Sequence, residues 1–98
     1  MSSLSGKVVV LLDNGSAHGV DVARALAEAG VSVVTVHGQG RPPEGRAVFA
    51  GDPSDPVDVQ SAQTMATELF GRVDAVIDVA DLPADPQRAI DTVATRLA

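Results

Sequence analysis

The sequence predicts an α/β fold: an open, parallel, four-stranded sheet in spatial order 3-2-1-4, with three helices on its faces. Three observations carry this expectation. The run Val8-Val9-Val10-Leu11-Leu12 is apolar on both strand faces, as in a strand buried from two sides. Strand-like and helix-like segments follow one another as β-α-β-β-α-β-α, an order that right-handed crossovers close into a parallel sheet. Finally, 45% of the residues are hydrophobic but only 2% aromatic, so the core is built from Val, Ala and Leu. Such side chains suit close packing of helix on sheet.

Each element has its own local signal. The first strand is expected over Lys7 to Leu12, followed by a turn-rich loop from Asp13 to His18. Gly19 to Ala29 reads as a helix, with Val22, Leu26 and Ala25/Ala29 at helical spacing and Gly30 as its stop. Val31 to His37 is a second strand of the same apolar kind. Gly38 to Gly45 contains Arg41-Pro42-Pro43 and must be a loop, a rigid surface connection or a docking segment. Arg46 to Ala50 makes a short third strand.

Asp55-Pro56 starts a second helix: Asp serves as N-cap, Pro takes the first helical position, and Asp58 lies near the positive dipole end. That helix runs to Phe70 with Val59, Ala62, Met65, Ala66 and Leu69 on one face, and Gly71 ends it. Val73 to Val79 is the fourth strand, with Asp74 read as a solvated residue before its apolar part. Asp85-Pro86 repeats the start signal for a last helix whose apolar side is Ala89, Ile90, Val93, Ala94 and Leu97. Crossover handedness is expected to put the first helix on one face and the other two on the opposite face.

Composition narrows the function classes. Ninety-eight residues allow one domain, 1–98, with no internal repeat or linker. With no cysteine there is no disulfide framework, zinc finger or thiol nucleophile, and with no tyrosine no chemistry needing a phenol. Seven basic against thirteen acidic residues give a net charge of −6, so nucleic acid is not an expected partner. The start, Met1-Ser2-Ser3-Leu4-Ser5-Gly6, has neither a charged leader nor an anchoring apolar stretch. A cytoplasmic chain without membrane contact is the expectation.

The carboxyl ends of the strands gather a polar set. Asp13 follows the first strand, His37 the second, Asp52 the third, and Asp78 and Asp81 the fourth; His18 joins from the loop before the first helix. Ligands bind at this edge in open α/β sheets. Asp13, His18, His37 and Asp78 are candidate metal ligands on the chemistry of carboxylate and imidazole. The competing reading is that Asp collects in turns and caps for local hydrogen bonding. No ligand spacing here is diagnostic. Gly15-Ser16-Ala17-His18-Gly19 is a distorted nucleophile elbow, and Ser16 equally serves as a cap for the helix that follows.

Four stretches resemble the amino-terminal part of a short-chain dehydrogenase/reductase, most of all the bacterial 3-oxoacyl-carrier-protein reductases. They are Leu4-Ser5-Gly6-Lys7-Val8-Val9-Val10, Ala23-Arg24-Ala25-Leu26-Ala27-Glu28-Ala29-Gly30, Gly51-Asp52-Pro53-Ser54-Asp55-Pro56 and Phe70-Gly71-Arg72-Val73-Asp74. The resemblance implies a truncated Rossmann-like sheet. It also implies that Leu12-Asp13-Asn14-Gly15-Ser16-Ala17-His18-Gly19 stands where the family has Thr-Gly-x-x-x-Gly-x-Gly. Only the last glycine survives. Asp13 replaces the glycine of the tight turn, and a carboxylate about 4 Å from a pyrophosphate costs roughly 4 kcal/mol at an effective dielectric of 20. That corresponds to about a thousandfold in affinity.

The family's Asn-Asn-Ala-Gly reads Asp78-Val79-Ala80-Asp81 here. Asp52 keeps the acidic position that reads adenine, but Pro53 offers no backbone donor. His37-Gly38 supplies no 2′-phosphate partner. If a nucleotide binds, Gly15, Gly19 and Asp52 are the residues to hold it. The family's catalytic Ser and Tyr-x-x-x-Lys fall beyond residue 98, and the single lysine, Lys7, opens the first strand.

Three functions therefore stay open. The first is a non-catalytic interaction or regulatory module, with NAD(P) disfavoured as cofactor and no catalytic residue assigned. The second is a nucleotide-binding domain without catalysis. The third is a metal-dependent enzyme using the acidic edge. A homodimer, or a hetero-oligomer with a related reductase, is expected through the fourth strand or the Ile90/Val93/Leu97 face.

Overall fold

The computed structural model describes residues 4–13, 19–38 and 47–97. Val8–Asp13 forms β1, Ser32–His37 β2, Ala47–Ala50 β3 and Ala75–Asp78 β4. They lie in the order β3-β2-β1-β4, and every pairing is parallel. β1 pairs with β2 from Val8↔Ser32 to Asp13↔His37 and with β4 from Val9↔Ala75 to Leu12↔Asp78. The fold class and strand order are those that the sequence predicts.

The pleat sends alternate residues to opposite faces, and each face has its own core. Val9, Leu11, Val33 and Ile77 face α1 (Gly19–Glu28), which buries Val22, Ala23 and Leu26 against them. Val8, Val10, Val34 and Val36 face α2 (Pro56–Phe70), which buries Ala62 and Ala66. The small alanines bring the α2 backbone close to the strands. Each buried Val or Leu stabilises the fold by roughly 1.5–3 kcal/mol.

The helix ends follow their sequence signals. The Asp55 side chain accepts from Val57 N–H at 2.9 Å, and Gly71, at φ 90°, donates its N–H to the Thr67 carbonyl at 2.8 Å. Leu69 departs from expectation: it is 55% exposed instead of packed. The end of α2 overhangs the sheet, so its last apolar residues find no strand beneath them.

α3 (Pro86–Leu97) corrects the expected distribution of helices. It packs beside α1, not beside α2: Ala89 and Val93 are fully buried in the same cluster as Val22, Leu26 and Ile77. The handedness rule governs a helix that leads into a parallel strand. The described sheet holds no later strand to which α3 is joined. The helix settles on the apolar surface that α1 leaves bare above β4. That surface is covered, with Ile77 only 1% exposed, and Val93 is buried on it with Ile90 and Leu97 partly buried.

The other face of β4 does stay open. Val76, opposite Val10 in register, is 36% exposed at the sheet edge.

Two strand boundaries move. β1 extends to Asp13, which is therefore part of the sheet and not of a loop. β4 is shorter than Val73 to Val79: Val73 packs below it, and Val79 enters a 3-10 turn, Val79–Asp81. The Pro-rich segment around Arg41-Pro42-Pro43 lies outside the described residues. No helix among the described residues is long and apolar enough to cross a membrane.

Candidate functional site

Register decides which polar residues of the carboxyl edge meet. Asp13 and His37 end β1 and β2 as direct partners, so both side chains stand on the α1 face. His37 Nδ1 lies 3.4 Å from Asp13 Oδ2, and the two side chains are 10% and 2% exposed. The carboxylate also lies flat against the start of α1. A Cβ on Gly19 would stand 2.8 Å from Asp13 Oδ2, 2.9 Å from Cγ and 3.0 Å from Oδ1. A side chain at this position would therefore force the carboxylate to move. Asp13 sits where the helix dipole favours negative charge.

Asp78 does not join this pair. It is level with Leu12, and the pleat directs it to the opposite face from Asp13. Its carboxylate accepts from Ala80 N–H at 2.9 Å and caps the 3-10 turn that contains Asp81. The candidate metal set is therefore not assembled as expected: Asp13 and His37 meet, while Asp78 is spent on a cap. Among the described residues no group of three or more His, Cys, Asp or Glu could hold a metal ion. His18, Gly15 and Ser16 lie outside the described residues.

Asp52 serves its own loop. Its Oδ1 accepts from Ser54 N–H at 2.8 Å and from Ser54 Oγ at 2.6 Å. The Ser54 hydroxyl, followed by the Ser54 N–H, holds the Asp52 carboxyl below the usual carboxylate range. Asp58 in the first turn of α2 accepts the Asp52 N–H at 2.8 Å and ties this loop down. The loops after β2 and β3 are joined as well, by Gly51 N–H donating to the His37 carbonyl at 3.3 Å.

Sequence reasoning missed two groups. Asp74 is not a solvated residue: its Oδ2 accepts from Val8 N–H at 2.7 Å and from Arg72 Nε at 3.1 Å. The Val8 N–H bond is the first cause holding the Asp74 carboxyl below its ordinary range, and the nearby Arg72 and Lys7 charges add to it. Thr35 is 1% exposed on the α1 face of β2, and its hydroxyl has no hydrogen-bond partner. Neither ring nitrogen of His37, two residues on, has one either. A single Thr within the apolar run Val33-Val34-Thr35-Val36 was the available signal.

No protein-family model and no curated protein matches the chain. Solved structures do. A short-chain dehydrogenase/reductase from Serratia marcescens superposes with a TM-score of 0.59 and 24% identity, over 74% of this chain and 34% of its own. A mutant of a Serratia marcescens short-chain dehydrogenase/reductase gives 0.60 and 20%, over 97% of this chain and 50% of its own. The chain has the short-chain dehydrogenase fold. A Pseudomonas syringae protein assigned to the short-chain dehydrogenases gives 0.56 and 20%, over 98% of this chain and 51% of its own. The chain thus spans between 34% and 51% of the length of these three structures.

Folds of this kind imply a nicotinamide dinucleotide whose pyrophosphate rests on the first helix N-terminus. The turn that would carry it, residues 14–18, lies outside the described residues, and the Asp13 carboxylate packs on Gly19 at its end. Asp52 is bonded to Ser54, and Pro53 has no N–H to offer.

Proposed function

We propose that this short-chain-dehydrogenase-like domain acts by association and not by catalysis, as an interaction or regulatory module beside a fuller reductase. The resemblance of its sequence to the 3-oxoacyl-carrier-protein reductases suggests the kind of enzyme it accompanies. The observation that carries the reading is the Asp13 carboxylate, buried beside the start of α1, where its negative charge opposes a phosphate. The rest of the edge agrees: Asp52 and Asp78 are committed to N–H groups two residues on. The one lysine, Lys7, stands at the amino end of β1, on the far side of the sheet from this edge.

The open β4 edge and the exposed Val76 are the surface that we assign to association. Calorimetric titration with NADPH, NADH, adenine nucleotides and divalent cations should give no binding. Sedimentation equilibrium, with the chain alone and mixed with a complete 3-oxoacyl-carrier-protein reductase, should show a species heavier than 10.0 kDa. Micromolar NADPH binding, or a clean monomer in both experiments, would refute the reading.

A further inference from the structure

We infer that the β4 edge takes an added strand from another protein: an extended segment with an apolar residue between two basic ones, docked beside α2. This deepens the proposed function and rests on its reading that the domain acts by association. The backbone comes first. Among the described residues β4 pairs with β1 alone, and Asp74 donates its N–H to the Val8 carbonyl. Backbone groups alternate in direction along a strand, so Ala75 and Ile77 turn theirs away from β1, to the open side. A bound segment pairs with them as a sheet neighbour does.

Side chains decide what the segment carries. On the α2 face Val76 is 36% exposed, with Asp74 and Asp78 two residues to either side. On the same side of the sheet lies a hollow of about 400 Å³, lined by Val73 and by Gln60, Gln63, Thr64, Thr67 and Glu68 of α2. Thr64 and Thr67 donate their hydroxyls to the Gln60 and Gln63 carbonyls at 3.2 and 3.0 Å. That leaves the Gln60 and Gln63 amides and the Glu68 carboxylate to meet whatever enters.

The charge around this edge is negative. Glu68 stands on the α2 side, and Asp78 and Asp81 at the carboxyl end. The cation at the amino end, Arg72, is held by Asp74 and the Gly6 carbonyl. With the whole chain at −6, a basic segment is attracted and an acidic one repelled. A second copy fits poorly. The two-fold antiparallel registers that pair most of β4 are centred on Val76 or on Ile77. The first sets Asp74 against the second copy's Asp78, and the other sets Val76 against it. An added strand with a β-branched apolar residue opposite Val76, and Lys or Arg two residues to either side, suits all three positions.

The probe is the synthetic peptide Thr-Lys-Val-Val-Val-Lys-Thr, titrated into the whole protein and followed by NMR. Amide shifts should move along Ala75 to Asp78, and the Ala75 and Ile77 N–H should exchange at least about tenfold more slowly. Replacing both peptide lysines by Glu should weaken binding at least about tenfold, as should Val76→Lys. Glu68→Gln, and Asp78→Asn, which keeps an oxygen for the Ala80 N–H, should each weaken it about two- to fivefold. If Val76→Lys unfolds, the Glu peptide makes the same test on the unaltered protein.

Equal binding of the two peptides, binding undiminished in a folded Val76→Lys, or shifts confined to other elements would overturn the inference. So would a dimer of the chain alone that Val76→Lys dissolves, because a second copy then fills the edge. A reductase that associates while the basic peptide does not bind leaves the proposed function standing and overturns only the added strand. Peptide binding at β4 without association of the reductase does the reverse.

Discussion

The two ends of the sheet use the same ingredients in opposite ways. At the amino ends of the strands, Asp74 takes the Val8 N–H and Arg72 Nε, and Arg72 Nη2 reaches the Gly6 carbonyl at 3.1 Å. Gly6 N–H in turn meets the Gly30 carbonyl. Carboxylate, guanidinium and backbone are matched there. At the carboxyl ends, Asp13 is the more deeply buried of the two carboxylates, but the His37 ring and the Thr35 hydroxyl on the same face go without hydrogen bonds. One end is a clasp. The other is a socket whose buried ring and hydroxyl stay unmatched.

Gly19→Ala should have the largest effect on that contrast. Its methyl would stand 2.8 Å from Asp13 Oδ2, so the buried carboxylate would have to shift. Urea unfolding should show a loss of about 1–3 kcal/mol. A variant as stable as the parent would mean that the Asp13 carboxylate shifts freely and the contrast is false.

Asp74→Ala tests the clasp and comes next. The Asp74 carboxyl is held below its ordinary range by the Val8 N–H bond first. A depressed carboxyl stabilises the fold above its unfolded value, about 3.9, and that stability is lost as pH falls through the lower folded value. The variant should therefore melt earlier than the parent at pH 7. The gap should shrink progressively below about pH 4. A pH-independent gap would assign the effect to packing and not to the ionised group.

Ser54→Ala is the smallest test and sharpens the comparison by its silence. Losing the Ser54 hydroxyl should move the Asp52 carboxyl up toward its ordinary range, read by NMR titration, while the melting temperature stays put. A large drop in melting temperature would make the Asp52 loop a second clasp at the socket end.

Sequence pattern made the strands, the strand order and the caps at Asp55 and Gly71 legible, because each depends on neighbours along the chain. The position of α3 was not legible. Handedness constrains only a connection between two parallel strands, and the choice of face was settled by apolar area left bare above β4. Asp74 was misread because its main partner, Val8, is 66 residues away, and nothing local marks that bond. The separation of Asp78 from Asp13 could have been found. Pairing Leu12 with Asp78 puts the two carboxylates on opposite faces by the period-2 pleat alone. The Asp13–His37 meeting needed only the β1–β2 register, whereas the fit of carboxylate to Gly19 required coordinates.

The central place of β1 also sets the order of events during synthesis. β1 leaves the ribosome before β2, β3 and β4, yet one of its flanks waits for β4 and for Asp74 to cover the Val8 N–H, 66 residues later. Until then the nascent chain can assemble only β1, α1, β2 and β3, with Val10 and Leu11 still lacking their β4 partners Val76 and Ile77. Such late, long-range pairing is slow and leaves apolar edges uncovered meanwhile. Translation that pauses between Ala50 and Asp74 should therefore expose this chain to chaperones and proteases more than a pause after Asp78.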